Sequence, residues 1–218
     1  KDLYDPSTIH YAADEMLNVC KKGPIYEPKF IFYKTKNWKN IDKESQKSFD
    51  FFIKTFSKNI EVFDTPSYFD DIPKYHKIIH ETDMANNFQG YYKKSKKFLS
   101  KEMVSAIERG LKYSAKEYAE AIDFMKRSYE SYKEVFEDFH GVLTPSSSGV
   151  APKGLKSTGS PEFSTIWTYM GLPSISLPLL IGANNLPLGI QLVGDKLDDL
   201  RFLGVANWLE KNCKKYAK

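Results

Sequence analysis

Residues 171–194 read GLPSISLPLLIGANNLPLGIQLVG, an apolar stretch interrupted by one polar turn. Two runs rich in Leu and Ile, from Ser174 to Leu180 and from Leu188 to Val193, flank the pair Asn184-Asn185. Asn is common in turns because its short polar side chain hydrogen-bonds the local backbone and tolerates left-handed dihedral angles. The pattern therefore predicts a β-hairpin with its turn at the two asparagines.

Helices are predicted on both sides of this hairpin. The segment from Pro161 to Met170 has a helical pattern, with Ser160 as its N-cap and Gly171 as its stop. After the hairpin, Asp198-Asp199 begins a closing helix. Negative charge stabilises the N-terminus of a helix, which explains this acidic pair without a catalytic role.

The first half of the chain has a β-α-β pattern followed by helices. Lys29 to Tyr33 and Ile60 to Phe63 are short apolar runs typical of strands, and between them Asp42 caps a helix. When a helix connects two strands of one sheet, the strands run parallel and the crossover is right-handed. From Pro73 to Phe139 the pattern is helical, and Val142 to Thr144 is a brief strand. The predicted fold class is α/β.

Local signals predict further helix ends. Tyr4 to Lys22 has helical periodicity and stops at Gly23. Ser100 and Ser114 have the pattern of N-caps, and Glu117 follows Ser114 at the spacing of a capping box.

Composition excludes several classes of protein. The chain has 218 residues, of which 41% are hydrophobic, so it is neither disordered nor a disulfide scaffold. Its 32 Lys and Arg residues against 28 Asp and Glu give a net charge of +4 spread along the chain, so no nucleic-acid partner is expected. No uncharged apolar run approaches the ~18 residues that span a bilayer, so no membrane partner is expected. Cys20 and Cys213 lack metal-type spacing and are typical of free thiols in the cytoplasm.

Two histidines lie one helical turn apart, at His76 and His80, which is a spacing able to bind a metal. The zinc-protease pattern needs Glu directly after the first His, and that place holds Lys77. Because no third ligand is evident, we predict no metal site and favour a partly exposed helix face. A metal-dependent reaction at these histidines stays open as a third hypothesis.

Ser146, Ser147 and Ser148 follow a predicted strand, where nucleophiles often lie. A nucleophile elbow requires the pattern G-x-S-x-G, which the chain lacks. His140 is close in sequence, but sequence proximity does not establish the geometry of a catalytic pair. We therefore favour a serine-rich turn.

The predicted helix 161–170 carries aromatic and hydroxyl side chains. One interpretation is a pocket wall, because ligand sites combine apolar walls with a few polar groups. The other is core packing, because Phe163, Trp167 and Met170 have the spacing of one helix face. The pattern alone favours core packing.

Several motifs in order along the chain resemble the C-terminal part of amidase signature enzymes. The most specific are LTP at 143–145, SPEF at 160–163, Trp167, GLPSISLP at 171–178 and LPLGIQLVG at 186–194. Upstream, FIFYKTKNW at 30–38, HETDMANNF at 80–88 and IERG at 107–110 are also similar to the family. The resemblance covers nearly the whole chain. It implies an α/β fold with a mixed β-sheet flanked by helices, of which this chain forms the C-terminal part.

This resemblance implies a hydrolase, without metal or organic cofactor, that cleaves a carboxamide C–N bond through a Ser acyl-enzyme. The family's machinery is a nucleophilic Ser, a bridging cis-Ser, a Lys base and backbone N–H groups that form the oxyanion hole. In the family these groups lie in the N-terminal half, before the region that Lys1 begins. None of Ser146, Ser174 and Ser176 matches a family nucleophile, so we assign no catalytic residue to this chain.

We therefore expect residues 1–218 to form the C-terminal part of a single amidase domain. In this interpretation 1–141 is mainly helical with a β-α-β unit, and 142–218 contains a pocket helix, the hairpin and the closing helix. The resemblance favours the pocket interpretation of helix 161–170 and assigns Phe163, Trp167 and Thr168 to substrate binding.

The expected partners are the missing N-terminal half of the domain and a small amide substrate, with a homodimer left open. Alone, the chain is expected to be inactive and either poorly soluble or dependent on the missing half. The alternative hypothesis is a non-enzymatic binding or scaffolding module that keeps the C-terminal lobe. Glu162 lies only approximately where amidotransferases of the family hold glutamine, so a glutamine-binding role is not assigned.

Overall fold

The computed structural model describes Tyr4 and residues 13–213, and their fold contains a five-stranded sheet. The strands are β1 (Phe30–Lys34), β2 (Ile60–Asp64), β3 (Gly141–Pro145), β4 (Ser174–Ile181) and β5 (Pro187–Val193). Their order across the sheet is β2-β1-β3-β5-β4. Strand β1 pairs in parallel with β2 and β3, whereas β5 pairs antiparallel with β3 and β4. The mixed sheet, the β-α-β unit and the hairpin are thereby confirmed.

The helices account for most of the remaining described residues. They are α1 (Ala13–Lys22), α2 (Lys43–Thr55), α3 (Ile72–Asn87), α4 (Gln89–Ser95), α5 (Lys101–Gly110), α6 (Ala115–Glu130), α7 (Val135–Asp138), α8 (Thr165–Met170) and α9 (Asp199–Cys213). Within the described ranges, no helix combines the length and the apolar character needed to cross a membrane.

The chain divides into two compact units. The sheet unit comprises residues 1–64, 135–163 and 172–218. The helical unit comprises residues 65–134 and 164–171, and therefore contains helices α3 to α6 together with α8.

The core of the sheet unit lies between the sheet and helices α2 and α9. Phe32, Leu143 and Leu192 share one register across β1, β3 and β5, and each is 0% exposed. Phe49 on α2 and Val205 on α9 belong to the same cluster. Burial of each large apolar side chain contributes about 1.5–3 kcal/mol, so this layer is the main source of stability in the unit.

An ion pair between a buried carboxylate and an exposed guanidinium connects two helices of the helical unit. Glu81 on α3 is 3% exposed, and one of its carboxylate oxygens accepts hydrogen bonds from Arg109 Nη2 at 2.6 Å and Nε at 2.8 Å. The Tyr113 hydroxyl donates to the other oxygen at 3.2 Å. A buried carboxylate is tolerated only when it is paired in this way. Helix α5 approaches α3 closely because its last residue is Gly110, where a Cβ atom would lie 1.9 Å from the Glu81 carbonyl oxygen.

The predicted caps of α2, α5 and α6 are confirmed. Asp42 accepts a hydrogen bond from the Ser45 N–H at 2.9 Å, and Ser100 caps α5 in the same way. At the start of α6 both hydrogen bonds of the Ser114–Glu117 capping box are present. Such caps satisfy N–H groups that have no partner within the helix.

The start of two predicted helices, over 4–22 and 161–170, can be compared with the structure. Of the helix predicted over 4–22, the structure describes α1 from Ala13 onward, and residues 5–12 lie outside the described residues. The helix predicted from Pro161 begins only at Thr165, so its predicted start and its Ser160 cap are wrong. The N-cap is instead Ser164, and the carbonyl oxygen of the preceding Phe163 accepts a hydrogen bond from the Gln191 side-chain amide at 3.4 Å.

We predict that Gly110→Ala destabilises the chain by about 3 kcal/mol, because the added methyl group meets backbone that has no freedom to move. Gly90→Ala is the matched control, since a Cβ atom there meets nothing within 4 Å. It should be neutral or stabilise by about 0.5–1 kcal/mol. Urea unfolding followed by circular dichroism measures both changes, and equal stability of the two variants would contradict the close helix contact.

Candidate functional site

Helix α8 carries two of the three residues that the sequence assigns to substrate binding. The helix ends at Gly171, whose φ of +68° is the left-handed conformation that favours glycine. Trp167 is 1% exposed, and its ring lies 5.9 Å from that of Phe69 and 6.0 Å from that of Tyr132. Thr168, the next residue, is exposed. The helix therefore presents opposite faces to the interior of its unit and to a cavity.

Phe163 belongs to the sheet unit and is 1% exposed. Its ring is part of the apolar cluster between the sheet and its helices. The structure thus places Trp167 and Thr168 in one unit and Phe163 in the other. The substrate-binding role of the three residues stays a prediction.

A cavity of about 330 Å³ lies in the helical unit, with Thr168 in its wall. Helices α3, α6 and α8 contribute side chains to it. The polar lining comes from His76, His80, Asp83, Asn87 and Thr168, and the apolar lining comes from Ile79, Met84, Phe88, Met125 and Tyr169. This mixture of apolar wall and few polar groups is typical of small-molecule sites.

The two histidines stack in this cavity instead of converging on a metal. Their ring centroids lie 5.6 Å apart with an interplanar angle of 10°. Within the described residues, no group of three or more His, Cys, Asp or Glu side chains is arranged to hold a metal ion. Burial lowers the pKa of His76, and the nearby His80 lowers it further.

Two further polar groups of the cavity are held in place by hydrogen bonds. The Tyr118 hydroxyl donates to Asp83 Oδ1 at 3.0 Å, and the Tyr169 hydroxyl donates to the Ala121 carbonyl oxygen at 2.6 Å. Burial raises the pKa of Tyr169 well above its ordinary value, so its hydroxyl stays protonated. Among the described residues, the lining of this cavity includes no serine and no cysteine.

The serine-rich loop after β3 forms a second polar cluster, in the sheet unit. Ser146 Oγ and Ser176 Oγ lie 2.7 Å apart and share a hydrogen bond. A Cβ atom on Gly189 would lie 2.6 Å from Ser176 Oγ and 2.8 Å from Ser146 Oγ, so glycine is required for the two hydroxyls to meet. Ser147 donates to the Gly149 carbonyl oxygen at 2.6 Å, as expected of a turn.

His140 takes no part in that cluster. It precedes β3 and Ser146 follows it, and a five-residue strand separates its ends by roughly 16 Å. His140 Nδ1 accepts a hydrogen bond from the Lys29 N–H at 3.0 Å, and its ring stacks on Tyr26. The preference for a serine-rich turn over a Ser-His pair agrees with this geometry.

The carboxylate of Glu162 is engaged within the sheet unit. It accepts a hydrogen bond from Asn40 Nδ2 at 2.8 Å, while Asn37 Nδ2 donates to the Glu162 carbonyl oxygen at 3.2 Å. These contacts connect the loop before α8 to the segment after β1.

Several residues that line the cavity are not assigned to a site from the sequence. Asp83 lies seven positions after His76 and so occupies the same face of α3, a signal that sequence periodicity contains. Met125 lies far along the chain on α6 and reaches the cavity only through helix packing.

Comparison with known proteins agrees with the resemblance in the sequence. A family model described as Amidase matches residues 29–203. A glutamyl-tRNA(Gln) amidotransferase subunit of Alkaliphilus metalliredigens is 33% identical over 101 residues, which is 43% of this chain and 21% of that protein. Fatty-acid amide hydrolase 2 of Homo sapiens is 33% identical over 115 residues, which is 50% of this chain and 21% of that protein.

A solved structure of the corresponding glutamyl-tRNA(Gln) amidotransferase subunit from Thermotoga maritima has the same fold. It superposes with a TM-score of 0.71 at 20% identity, over 97% of this chain and 48% of that chain. The mixed sheet with flanking helices is therefore shared. The chain spans about half the length of this structure, and the matched segments span about a fifth of the curated relatives.

The lowered pKa of His76 predicts a pH dependence of stability. The folded protein takes up this proton less readily than the unfolded chain, so the stabilisation is present above the ordinary pKa of 6.5 and is lost as the pH falls below it. We expect His76→Gln to reduce the loss of unfolding free energy between neutral and mildly acidic pH.

His140→Gln provides the comparison, because burial also lowers the pKa of His140. Each single variant should remove part of the pH dependence and the double variant should remove more. Urea unfolding at a series of pH values measures the effect. A His76→Gln variant with the full pH dependence of the original chain would show that His76 is not held neutral.

Proposed function

Because the chain belongs to the amidase family, we propose that it is the C-terminal portion of a hydrolase that cleaves a carboxamide C–N bond. The observation that carries the proposal is the family match over residues 29–203, which includes the whole sheet and all residues that line the cavity. Relatives named as an amide hydrolase and as part of an amidotransferase support chemistry at an amide group.

The proposed reaction proceeds through an acyl-enzyme. A serine hydroxyl attacks the amide carbonyl carbon while a neutral lysine takes up its proton, and the C–N bond breaks as the amine leaves with a proton. Water then releases the carboxylic acid from the serine. In this proposal the N-terminal half of the domain supplies the nucleophile, the bridging serine, the lysine and the oxyanion donors.

We propose that the role of this chain is to bind the acyl group of the substrate. The apolar side chains of the cavity exclude water from it, and Thr168, Asn87 and the neutral His76 offer hydrogen-bonding groups without a full charge. Thr168 is the one of the three proposed substrate-binding residues whose side chain is exposed at this cavity. Trp167 fixes the orientation of α8 from the other face, and a direct contact of Phe163 with substrate remains part of the proposal.

The edge of the sheet supports the proposed partner. Strand β4 is one of the two edge strands of the sheet, and among the described residues its outer side pairs with no other strand. Beside it lies an apolar cavity of about 450 Å³ whose lining includes Phe51 and Ile181, which are 59% and 48% exposed. Long apolar edges are normally covered. We propose that the N-terminal half of the amidase domain covers this one, and that the protein acts in the cytoplasm, where Cys20 and Cys213 stay free.

The second candidate is a non-enzymatic binding module. It is favoured by one observation: the serine and histidine clusters of the described residues contain no nucleophile paired with a base. In that case the cavity binds its ligand without a subsequent reaction.

Labelling with a fluorophosphonate, which reacts with activated serines, separates the two candidates. We expect the natural polypeptide that contains these 218 residues to be labelled at a serine outside them and to hydrolyse amides. The 218 residues expressed alone should be neither labelled nor active. Label on Ser146 or Ser176 would contradict the proposal that the nucleophilic serine lies outside these residues. A natural polypeptide without label or activity would favour the binding module.

A second prediction concerns the acyl site. In the natural polypeptide, Thr168→Phe fills part of the cavity, so kcat/KM for an amide with a bulky acyl group should fall about tenfold. The value for the smallest amide cleaved should change little. Ser105→Phe, an exposed position on α5 outside the cavity, is the matched control and should leave both values unchanged. Equal losses for both substrates would place the acyl group elsewhere.

A further inference from the structure

The segment 88–101, which we call the basic segment, has a charge that the composition of the whole chain conceals. Its sequence FQGYYKKSKKFLSK contains five lysines and no acidic residue, whereas the whole chain has a net charge of only +4. All other residues together therefore carry −1. In the structure this segment forms α4 and the short turn of helix after it, within the helical unit.

Aromatic side chains of the basic segment point into solvent. Tyr91 is 63% exposed and Phe98 is 79% exposed, the latter being an unusual position for a large apolar ring. Phe88 at the start of the segment is 37% exposed, and its ring centroid lies 6.4 Å from that of Tyr91. The exposed aromatic rings thus accompany the positive charges along the same short stretch of chain.

Most of the lysines in the basic segment are available to an external partner. Lys96 donates to Glu108 at 2.8 Å and to the Tyr92 hydroxyl at 3.0 Å, so it is used internally. Lys93, Lys94 and Lys97 are exposed, and none of them forms an ion pair with the described part of the chain. The ammonium group of Lys97 lies 5.0 Å from the centroid of the Phe98 ring. Positive charge and apolar surface are therefore presented together.

We propose that the basic segment binds the surface of an anionic lipid membrane. Clusters of four to eight basic residues on a helical segment are attracted to negatively charged headgroups, and aromatic rings lie favourably at the headgroup level. The lysine side chains extend their apolar stems along the interface while their ammonium groups stay in water. Phe98 and Tyr91 provide the buried apolar area, and the lysines provide the charge complementarity.

The composition of the basic segment favours lipid over nucleic acid. It contains no arginine, the residue whose planar fork matches phosphate oxygens in pairs and stacks on bases. Attachment of this kind requires no spanning helix, in agreement with the absence of one among the described residues. The expectation of no membrane partner rests on the lack of an apolar run long enough to span a bilayer, and binding at a membrane surface does not require such a run.

Vesicle flotation with the natural polypeptide that contains these 218 residues tests the proposal. We expect binding to vesicles of phosphatidylcholine and phosphatidylserine in equal amounts, weak binding to phosphatidylcholine alone, and a decrease with added salt. The combined variant Lys93→Gln, Lys94→Gln, Lys97→Gln should bind the anionic vesicles about a hundredfold more weakly. Its matched control, Lys39→Gln, Lys54→Gln, Lys58→Gln, removes the same charge from exposed positions of the sheet unit and should bind like the original chain.

A second variant tests the aromatic contribution separately. Tyr91→Ser with Phe98→Ser should weaken vesicle binding while circular dichroism shows an unchanged fold. Ile25→Ser, at a fully exposed apolar position of the sheet unit, should have no effect. Equal binding of the two lysine variants would overturn the proposal. Binding of a single-stranded RNA in place of anionic vesicles would also overturn it and identify the surface as a nucleic-acid site.

Discussion

The short strand β3 is the constraint on which the sheet unit depends. Its five residues are all buried, and they pair in parallel with β1 on one side and antiparallel with β5 on the other. A shift of one residue in either register would turn Leu143 away from the core and bring Val142 and Thr144 into it. The β-α-β unit and the hairpin, which are far apart in sequence, are joined into one sheet only through this strand. The position of β3 also determines that His140 and Ser146 lie at opposite ends of it.

In the helical unit the corresponding constraint is the close approach of α3 and α5. Gly110 permits it and the Glu81–Arg109 pair compensates the buried charge. With α3 held in this way, its other face carries His76, His80 and Asp83 toward the cavity that α6 and α8 complete. A structural ion pair and a candidate acyl site thus use two faces of one helix.

Much of the fold can be predicted from local sequence signals, because those signals act within a few residues. Asp42, Ser100 and Ser114 cap their helices as predicted, since a cap needs only its own side chain and the next helical turn. The helix before Gly171 shows the limit of this reasoning. Its stop is predicted correctly, but its start is wrong. Phe163 packs into the core of the sheet unit before the helix begins at Thr165, and that packing involves segments distant in sequence.

The sequence by itself determined the class of fold and the family, since both follow from the order of residues along the chain. Only the tertiary structure decided which side chains meet. The approach of Ser146 to Ser176, the face of α8 that is buried and the set of residues around Thr168 all depend on contacts between distant segments. Side-chain periodicity specifies a face of a helix but not its neighbour, because the neighbour is chosen by packing of the whole unit.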